Sequence, residues 1–390
     1  MFELPVSLSS WIILGATAVL ILNTLVIFLL PLIRVGNHKV AETNPDYAAL
    51  PKASVIVFST DDEERLLTYL DSVTKQEYPD FEVIVVCDTT ADTKKTLADL
   101  CESRYRNVYL TFIPPGSHNL SRRKLALTLG IKAAKGEVVV TTASNVRIPS
   151  DRWLIELLTP FCNKSTDISL GYSHIDYTQI KGAGRWYREF VSLLTDSNWI
   201  GTALGHWPYR GDGLNLAFRR QLFFDHKGYS KSIHLHSGDD DLFINEISNE
   251  KNTAVVLSPQ TILTSDWGEA AKRIWSSQKE QYDFTSRWLP RAPFILSGIV
   301  SAMQWFIPLC CIGAGYVGYP SIFPAIIGSL MIIIFFQSEI IIYRRAAAAM
   351  QATRLWWALP LFWLFKPIGN ALFHIRHHSE HRKNYTWQRK

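Results

Sequence analysis

Three consecutive carboxylates, Asp239-Asp240-Asp241, are the residues whose types and spacing point most directly to chemistry in this 390-residue chain. They stand where the sequence predicts the start of a helix that runs through Ile247. One aspartate is enough to cap a helix, and acids favour its positive end, so capping is the alternative role. Three neighbouring carboxylates also repel one another, which raises their proton affinity and suits one of them to act as a general base.

Alternating strands and helices must position these carboxylates. Runs of β-branched residues predict strands at Ser54–Phe58, Phe81–Cys87, Val108–Phe112 and 136–140, and a helix is predicted over Arg122–Ala134. Continuous apolar strands that alternate with amphipathic helices indicate an α/β domain with a mixed, mainly parallel sheet and helices on both faces. In such domains ligands bind at the carboxyl ends of the strands.

Polar residues follow three of these strands, at the edge where a ligand would bind. Thr60, Asp61 and Asp62 follow the first strand, Asp88 follows the second, and Asn145 follows the fourth. Such side chains bond a ribose or a base, or hold a divalent ion beside a diphosphate; the alternative is that they are caps and turn residues. The sequence has neither GxGxxG after the first strand nor GxxxxGK[ST], which argues against dinucleotide and P-loop sites.

Four stretches of the chain have the character of family motifs: QEYPDFEVIVVCD at Gln76–Asp88, and the segments Lys124–Glu137, Gly213–Arg220 and Asp239–Leu242. In order and spacing, over residues 53 to 290, they resemble the membrane-anchored family 2 glycosyltransferases. The nucleotide-sugar-binding fold of that family is called GT-A. The resemblance therefore implies a GT-A domain flanked by transmembrane helices.

The resemblance also implies roles for single residues in an inverting transfer, in which an acceptor hydroxyl attacks the anomeric carbon of a nucleotide sugar. Asp240 matches the family's catalytic base, and Asp239 and Asp241 would orient it or contact the acceptor. The residues expected to bind the nucleotide sugar are Thr60, Asp62, Asp88, Lys124 and Asn145. The residues expected to bind the acceptor are Asn215, Gln278, Gln281 and Trp288.

The segment Ala143-Ser144-Asn145 stands where the family has an Asp-x-Asp triplet that binds a metal and the sugar nucleotide. Both carboxylates are gone, and Asn145 keeps only a neutral oxygen, which is a weaker ligand for Mg²⁺ or Mn²⁺. A divalent-cation cofactor, with Asn145 as a ligand, is therefore doubtful. Basic side chains at Arg122, Arg123, Lys124 and Arg147 offer the leaving diphosphate another source of positive charge.

Three charge-free stretches, residues 9–33, 292–318 and 319–343, are long enough to cross a bilayer as helices. Basic residues flank one end of each, which places these ends and the large domain in the cytoplasm by the positive-inside rule. Residues 353–373 contain Lys366 and two prolines, so we expect an interfacial or re-entrant segment. A fourth span with an external basic tail is the alternative.

The predicted organisation has four parts: an N-terminal transmembrane anchor (1–33), a cytoplasmic GT-A domain (34–290), two transmembrane helices (291–345), and an interfacial or re-entrant segment with a basic cytoplasmic tail (346–390). The expected setting is a bacterial inner membrane. Basic residues beside anionic lipid account for the net charge of +5, so nucleic acid is not an expected partner.

The predicted function is transfer of a sugar from a nucleotide-diphosphate sugar to a lipid-linked or membrane-delivered glycan acceptor at the cytoplasmic face. A processive polysaccharide synthase is one alternative, although the Gln-x-x-Arg-Trp motif of polymerising members is represented at best by Gln278–Tyr282, with Arg287-Trp288 following it. A catalytically silent membrane scaffold is the other, because the metal-binding carboxylates are missing.

Overall fold

The computed structural model describes residues 8–40, 46–59, 63–87, 103–114, 121–235, 237–355 and 357–377. Within these ranges the chain divides into two compact units. The apolar unit comprises residues 8–38, 186–201 and 290–377, and the sheet unit comprises the described parts of 39–185 and 202–289. Each unit is therefore built from stretches that are far apart in the sequence.

Strands and short helices make up most of the sheet unit, and long helices make up the apolar unit. The α-helices are, in chain order, α1 (Leu8–Asn23), α2 (Leu30–Asn37), α3 (Glu63–Val73), α4 (Arg122–Ala133), α5 (Trp153–Leu158), α6 (Gly184–Ala203), α7 (Arg220–Asp225), α8 (Asp241–Ile247), α9 (Ala271–Thr285), α10 (Arg291–Val317), α11 (Phe323–Ala349) and α12 (Leu359–His377). A π-helical turn covers Thr24–Phe28, and 3₁₀ turns cover Thr159–Cys162 and Gly268–Ala270. The strands are β1 (Ala53–Ser59), β2 (Phe81–Cys87), β3 (Val108–Phe112), β4 (Val138–Ala143), β5 (Val146–Arg147), β6 (Ile168–Leu170), β7 (Ser173–Ile175), β8 (Leu216–Arg219), β9 (Thr253–Val255) and β10 (Leu263–Ser265).

Seven strands form the main sheet in the order β3-β2-β1-β4-β8-β6-β9. The pairs β1–β2, β1–β4, β2–β3 and β6–β9 are parallel, whereas β8 runs antiparallel to both of its neighbours, β4 and β6. Six of these seven strands therefore share one direction, and β8 is reversed. A second sheet has the order β5-β10-β7. The mixed, mainly parallel sheet confirms the predicted fold class.

The central strands are buried because helices cover the sheet. Val55 of β1 and Val140 of β4 have no exposed surface, as expected for β-branched runs that are covered on both faces. Ala126 and Ile131 of α4 are equally buried. The apolar positions of α4 therefore anchor the helix in the core, and its first turn brings two basic residues to the site described below.

The carboxyl ends of β1 and β4 finish side by side. The two strands pair in parallel from Ala53 opposite Val138 to Phe58 opposite Ala143. Beyond the last pair, Ser144 donates its backbone N–H to the carbonyl of Phe58 at 3.1 Å. This is the edge at which the sequence predicts a donor to bind.

Among the described residues, three helical segments are long and apolar enough to cross a membrane: Leu8–Phe28, Arg291–Val317 and Phe323–Ala349. They agree closely with the three predicted charge-free stretches. Helix α12 is 19 residues long and contains Pro367. The indole N–H of Trp305 in α10 donates to the Leu364 carbonyl of α12 at 3.1 Å, so α12 packs against α10. An interfacial position for 353–373 stays a prediction.

Most of α6 belongs to the apolar unit. The sequence predicts an amphipathic segment over 185–205, and residues 186–201 cluster with the apolar helices. A Cβ atom on Gly201 would lie 2.0 Å from the carbonyl oxygen of Pro31, so the backbones of α6 and α2 are in direct contact. The predicted boundary at 34–290 had assigned this helix to the cytoplasmic domain.

Candidate active site

Asp240 lies where two loops meet, and a backbone N–H from each bonds its carboxylate. Oδ1 accepts from the N–H of Asp241 at 2.8 Å, which caps α8, and Oδ2 accepts from the N–H of Gly213 at 3.2 Å. A Cβ atom on Gly213 would lie 3.1 Å from the Asp240 Cβ and 2.7 Å from an Nη of Arg123, so glycine permits this close approach. The Gly213 motif and the aspartate run, 27 residues apart, thus form one site.

Asp239 forms an ion pair with Arg123 of α4. The distance from the Asp239 Oδ2 to the Arg123 Nε is 2.6 Å, and the aspartate side chain is 9% exposed. Burial lowers the pKa of Arg123, but the charges of Asp239, Asp240 and Asp212 outweigh it and the pKa is raised overall. The guanidinium is therefore a permanent positive charge beside the carboxylates.

Asp241 joins the start of α8 to the end of α9. Its Oδ1 accepts from the N–H of Leu242 at 2.7 Å, and its Oδ2 accepts from the hydroxyl of Thr285. Asp241 is 4% exposed and Thr285 is fully buried. Asp241 is thus placed to hold α8 and α9 together.

The protonation of Asp240 is set by burial and by its neighbours. The pKa of Asp240 is raised to about 7, first by burial and then by the charges of Asp239 and Asp241, while Arg123 and Arg210 act in the opposite direction. Burial also raises the pKa of Asp241. A carboxylate with a pKa near 7 is well matched to general-base catalysis at neutral pH.

Arg210 and Asp212 belong to this cluster, although the sequence patterns did not single them out. The Arg210 guanidinium carbon lies 4.1 Å from the centre of the Tyr282 ring. The Asp212 Oδ2 accepts from the backbone N–H of Ser173 at 2.6 Å, and burial raises the pKa of Asp212. Their position just before the Gly213 motif is the signal that could have identified them.

Lys124, predicted to bind the donor, holds a loop of its own chain. Its ammonium donates to the carbonyls of Ser232 at 2.5 Å, Leu235 at 3.1 Å and Ser237 at 2.7 Å, and it lies 3.2 Å from the Ser232 hydroxyl. Burial lowers the pKa of Lys124 to about 8, so the amine is still mostly protonated at pH 7. The structure thus places Lys124 beneath the loop that leads to Asp239, and donor binding by Lys124 stays a prediction.

Asn145 follows β4 at the expected donor edge and is half-buried. Its Nδ2 is buried without an acceptor among the described residues. Its neighbour Ser144 bonds the hydroxyl of Ser59 at 3.1 Å. The described part of the chain contains no group of three or more His, Cys, Asp or Glu arranged for a metal. Asn145 therefore offers a divalent cation a neutral oxygen ligand.

Asn215, predicted to bind the acceptor, is fully buried. Its Oδ1 accepts from the indole N–H of Trp153 at 3.0 Å, and its Nδ2 donates to the carbonyls of Tyr172 at 2.8 Å and Thr261 at 2.7 Å. The amide has no surface to offer an acceptor. The predicted acceptor contact does not fit this position, because the side chain instead ties α5 to the start of β8.

The other predicted acceptor residues lie on α9 or just after it. Gln278 is exposed, Gln281 is half-buried, and Trp288 is 48% exposed with its ring centre 5.1 Å from that of Phe284. The predicted donor residues Thr60, Asp62 and Asp88 lie outside the described residues. Arg147, considered above for the diphosphate, pairs with Asp176 at 3.0 Å.

Residues 54–224 match the protein family described as Glycosyl transferase family 2. The chain carries a glycosyl transferase family 2 domain. The match covers the β1 to β4 region, Asn145 and the Gly213 motif, and it ends before Asp239-Asp240-Asp241. The glycosyl transferase family 2 domain thus includes the loop that bonds Asp240, whereas the carboxylates lie just beyond the matched residues.

This chain is similar to a curated relative and to solved structures. The probable N-acetylgalactosaminyltransferase 9 of Caenorhabditis elegans is 27% identical over 216 residues, which are 50% of this chain and 36% of that protein. This chain therefore spans about a third of that relative. The mannosyltransferase PcManGT from Pyrobaculum calidifontis, solved with GDP-Man and Mn²⁺, is 16% identical, covers 93% of this chain and 99% of its own, and has a TM-score of 0.50. S. aureus TarS 1-349, solved with UDP-GlcNAc, is 16% identical over 86% of this chain and 93% of its own, with a TM-score of 0.42. The glycosyl transferase family 2 domain has a GT-A-like fold.

Proposed function

We propose that this chain transfers a sugar from a nucleotide-diphosphate sugar to a lipid-linked or membrane-delivered acceptor, with inversion at the anomeric carbon and Asp240 as general base. One observation carries the proposal: Asp240 has a pKa raised to about 7 within a carboxylate cluster bonded by the Gly213 loop. In the proposed step the acceptor oxygen bonds to the anomeric carbon, the bond from that carbon to the diphosphate oxygen breaks, and the acceptor proton passes to Asp240.

The neighbours of Asp240 have supporting roles in this proposal. Arg123 and Asp239 form an ion pair, and Asp241 is bonded to Thr285, so both flanking carboxylates are held by their own partners. Asp239 and Asp241 are buried, whereas Asp240 is half-buried. It is therefore the one best placed to receive a proton from a bound acceptor.

The proposed donor site is the edge formed by the ends of β1, β2 and β4. The GDP-Man bound to the P. calidifontis mannosyltransferase supports a nucleotide-diphosphate sugar as donor. The name of the C. elegans relative refers to a different sugar, so the donor sugar is left open. We assign donor binding to Thr60, Asp62, Asp88, Lys124 and Asn145.

A divalent cation is compatible with this donor site, since Mn²⁺ accompanies GDP-Man in the P. calidifontis enzyme. Asn145 is the described residue that would face such an ion, as a neutral ligand. Bound beside the donor, the ion would supply positive charge to the diphosphate. Asn145 alone binds a cation weakly, so the cation requirement is part of the test below.

The three apolar helices support delivery of the acceptor at a membrane. Basic residues at one end of each helix favour the cytoplasmic face. The membrane that we propose is a bacterial inner membrane. The exposed Gln278 and Trp288 and the half-buried Gln281 are the residues we assign to acceptor contacts.

The Asp240→Asn variant tests the proposed base. We expect the variant to bind the donor nucleotide with wild-type affinity by calorimetry, but to lose at least about 100-fold in transfer rate, the contribution typical of a general base. Asp151→Asn, at an exposed turn, is the matched control and should retain activity. Transfer is measured by mass spectrometry of the acceptor over a panel of nucleotide sugars, with and without a chelator.

Full activity of Asp240→Asn would contradict the base assignment. A ladder of long products would favour a processive synthase. Lack of turnover by the wild type with every donor, with or without Mg²⁺ or Mn²⁺, would favour a silent scaffold, the alternative motivated by Ala143-Ser144-Asn145.

A further inference from the structure

Thr285 is the last residue of α9, and its hydroxyl meets a carboxylate of the aspartate run. Its Oγ1 lies within hydrogen-bond reach of three acceptors: the Asp241 Oδ2, which is the closest, the Gln281 carbonyl at 3.0 Å and the Tyr282 carbonyl at 3.3 Å. A hydroxyl has one proton to donate, and a charged acceptor forms the shorter and stronger bond. The hydroxyl of Thr285 therefore donates to Asp241.

Apolar side chains shield this hydrogen bond from water. Phe284, Leu242 and Leu235 pack together in one cluster. The first two are the sequence neighbours of Thr285 and Asp241, which are both buried themselves. A hydrogen bond is stronger in such surroundings, and a carboxylate oxygen left without its donor is costly there. Loss of the Thr285 hydroxyl should therefore change the protonation of Asp241.

The protonation of Asp241 in turn acts on Asp240. Burial raises the pKa of Asp241, whereas the charge of Arg210 and the hydrogen bond from Thr285 lower it. The negative charge of Asp241 raises the pKa of Asp240. The other charged groups of the cluster are Asp239, Asp212, Arg123 and Lys124. The Thr285 hydroxyl thus favours an ionised Asp241, which makes Asp240 the stronger base.

We propose that Thr285 is a positioning residue for sugar transfer, because its hydroxyl keeps Asp241 ionised and bonded to α9 and so directs the acceptor proton to Asp240. This inference rests on the proposed function, in which Asp240 is the general base. Without the hydroxyl, Asp241 would compete with Asp240 for a proton. Thr285 acts through Asp241 and needs no contact with donor or acceptor.

The pH dependence of transfer by Thr285→Val tests the proposal. Valine lacks the hydroxyl, so the pKa of Asp241 should rise and more of this carboxyl should be neutral near pH 7. Its charge then raises the pKa of Asp240 less. The midpoint of the rise in transfer with pH should therefore move downward from about 7, by at least about half a pH unit. The maximal rate should also fall, because Asp240 becomes a weaker base.

Three further variants identify the hydroxyl and its route. Thr285→Ser keeps the hydroxyl and should keep the wild-type midpoint. Thr285→Cys, whose thiol is a weak donor, should move the midpoint downward and replaces Thr285→Val if that variant does not fold. In an Asp241→Asn background, Thr285→Val should not move the midpoint further, because the charge through which it acts is gone.

Thr159→Val is the matched control. The Thr159 hydroxyl donates to the Ile155 carbonyl of its own helical segment at 2.7 Å, so its loss should leave the midpoint unchanged. An unmoved midpoint in both Thr285→Val and Thr285→Cys, while Asp240→Asn abolishes transfer, would overturn the positioning role and leave the base assignment intact. A shift that persists in the Asp241→Asn background would overturn the route through Asp241. Full activity of Asp240→Asn would overturn the proposed base and this inference with it.

Discussion

Arg123 influences Asp240 through its charge, although its ion pair is with Asp239. The guanidinium lowers the pKa of Asp240, so Arg123→Met should raise it. A general base acts when deprotonated, so transfer should rise with pH through about 7 in the wild type. In the variant we expect this midpoint to move upward by about one pH unit, the size of effect that loss of one nearby opposite charge produces.

The control for this prediction is an ion pair of equal length at an exposed position. Arg104 and Asp71 also lie 2.6 Å apart, but both side chains are more than a third exposed. Arg104→Met should leave the pH profile unchanged, because solvent screens exposed charges. If Arg123→Met lowers the maximal transfer rate but leaves the midpoint of the pH profile unchanged, Arg123 has only a structural role.

At the scale of single residues, the sequence predicts types of side chain better than their surroundings. The aspartate run was recognisable because three adjacent carboxylates are unusual at a helix start. The burial of Asn215 could not be recognised from the sequence. A motif position does not reveal whether an amide faces solvent or bonds three internal partners. Arg210 and Asp212 were missed because their contacts with Tyr282 and Ser173 depend on how distant segments pack.

At the scale of elements, Lys124 connects α4 to the loop before α8. Lys124→Met would leave the carbonyls of Ser232, Leu235 and Ser237 without this donor. We expect the free energy of unfolding to fall by about 2–4 kcal/mol, since each buried group left unsatisfied costs about 1–3 kcal/mol and solvent can reach some of them after the loop relaxes. Chemical denaturation of the purified protein measures this loss.

Lys132→Met is the matched control, because Lys132 is exposed on the same helix and its loss should change stability by less than about 0.5 kcal/mol. Titration with the donor distinguishes the two roles of Lys124. Unchanged stability together with much weaker donor binding would contradict the loop-holding role and support direct contact with the nucleotide.

Strands were the elements that the sequence predicted most closely. β2 and β3 begin and end where their apolar runs do, and α4 ends within one residue of the expected position. β8 was not predicted as a strand, because four residues carry too little periodicity to reveal an antiparallel insertion. The contact of Lys124 with the loop before α8 was also beyond prediction, because the oxygens that it bonds come from residues more than 100 positions away.

At the scale of the whole molecule, the charges at the helix ends predict a cytoplasmic sheet unit. In a variant with its five cysteines replaced by serine, Tyr316→Cys should react with a membrane-impermeant maleimide in intact cells, because Tyr316 is 85% exposed at the end of α10 without flanking charges. Ser165→Cys, in an exposed turn of the sheet unit, should react only after the cells are permeabilised.

Labelling in the reverse order would contradict the cytoplasmic assignment. The span positions themselves were predictable because charge-free stretches of more than 20 residues are typical of helices that cross a bilayer. The membership of α6 in the apolar unit was harder to predict from the sequence, because an amphipathic pattern fits both a soluble core and a membrane-adjacent helix.

The apolar unit is assembled from stretches of the chain that are synthesised at different times. Residues 8–38 leave the ribosome some 250 residues before α10 and α11 are made. At about 5–20 residues per second, the wait is roughly 10–50 s. During that interval Ser10, Thr17 and Thr24, which are buried in the finished unit, have none of their late-made neighbours. The hydroxyls of Thr17 and Thr24 donate to the carbonyls of Ile13 and Leu20 in the same segment, at 2.7 Å and 2.8 Å, so this segment satisfies them before the last helices are made.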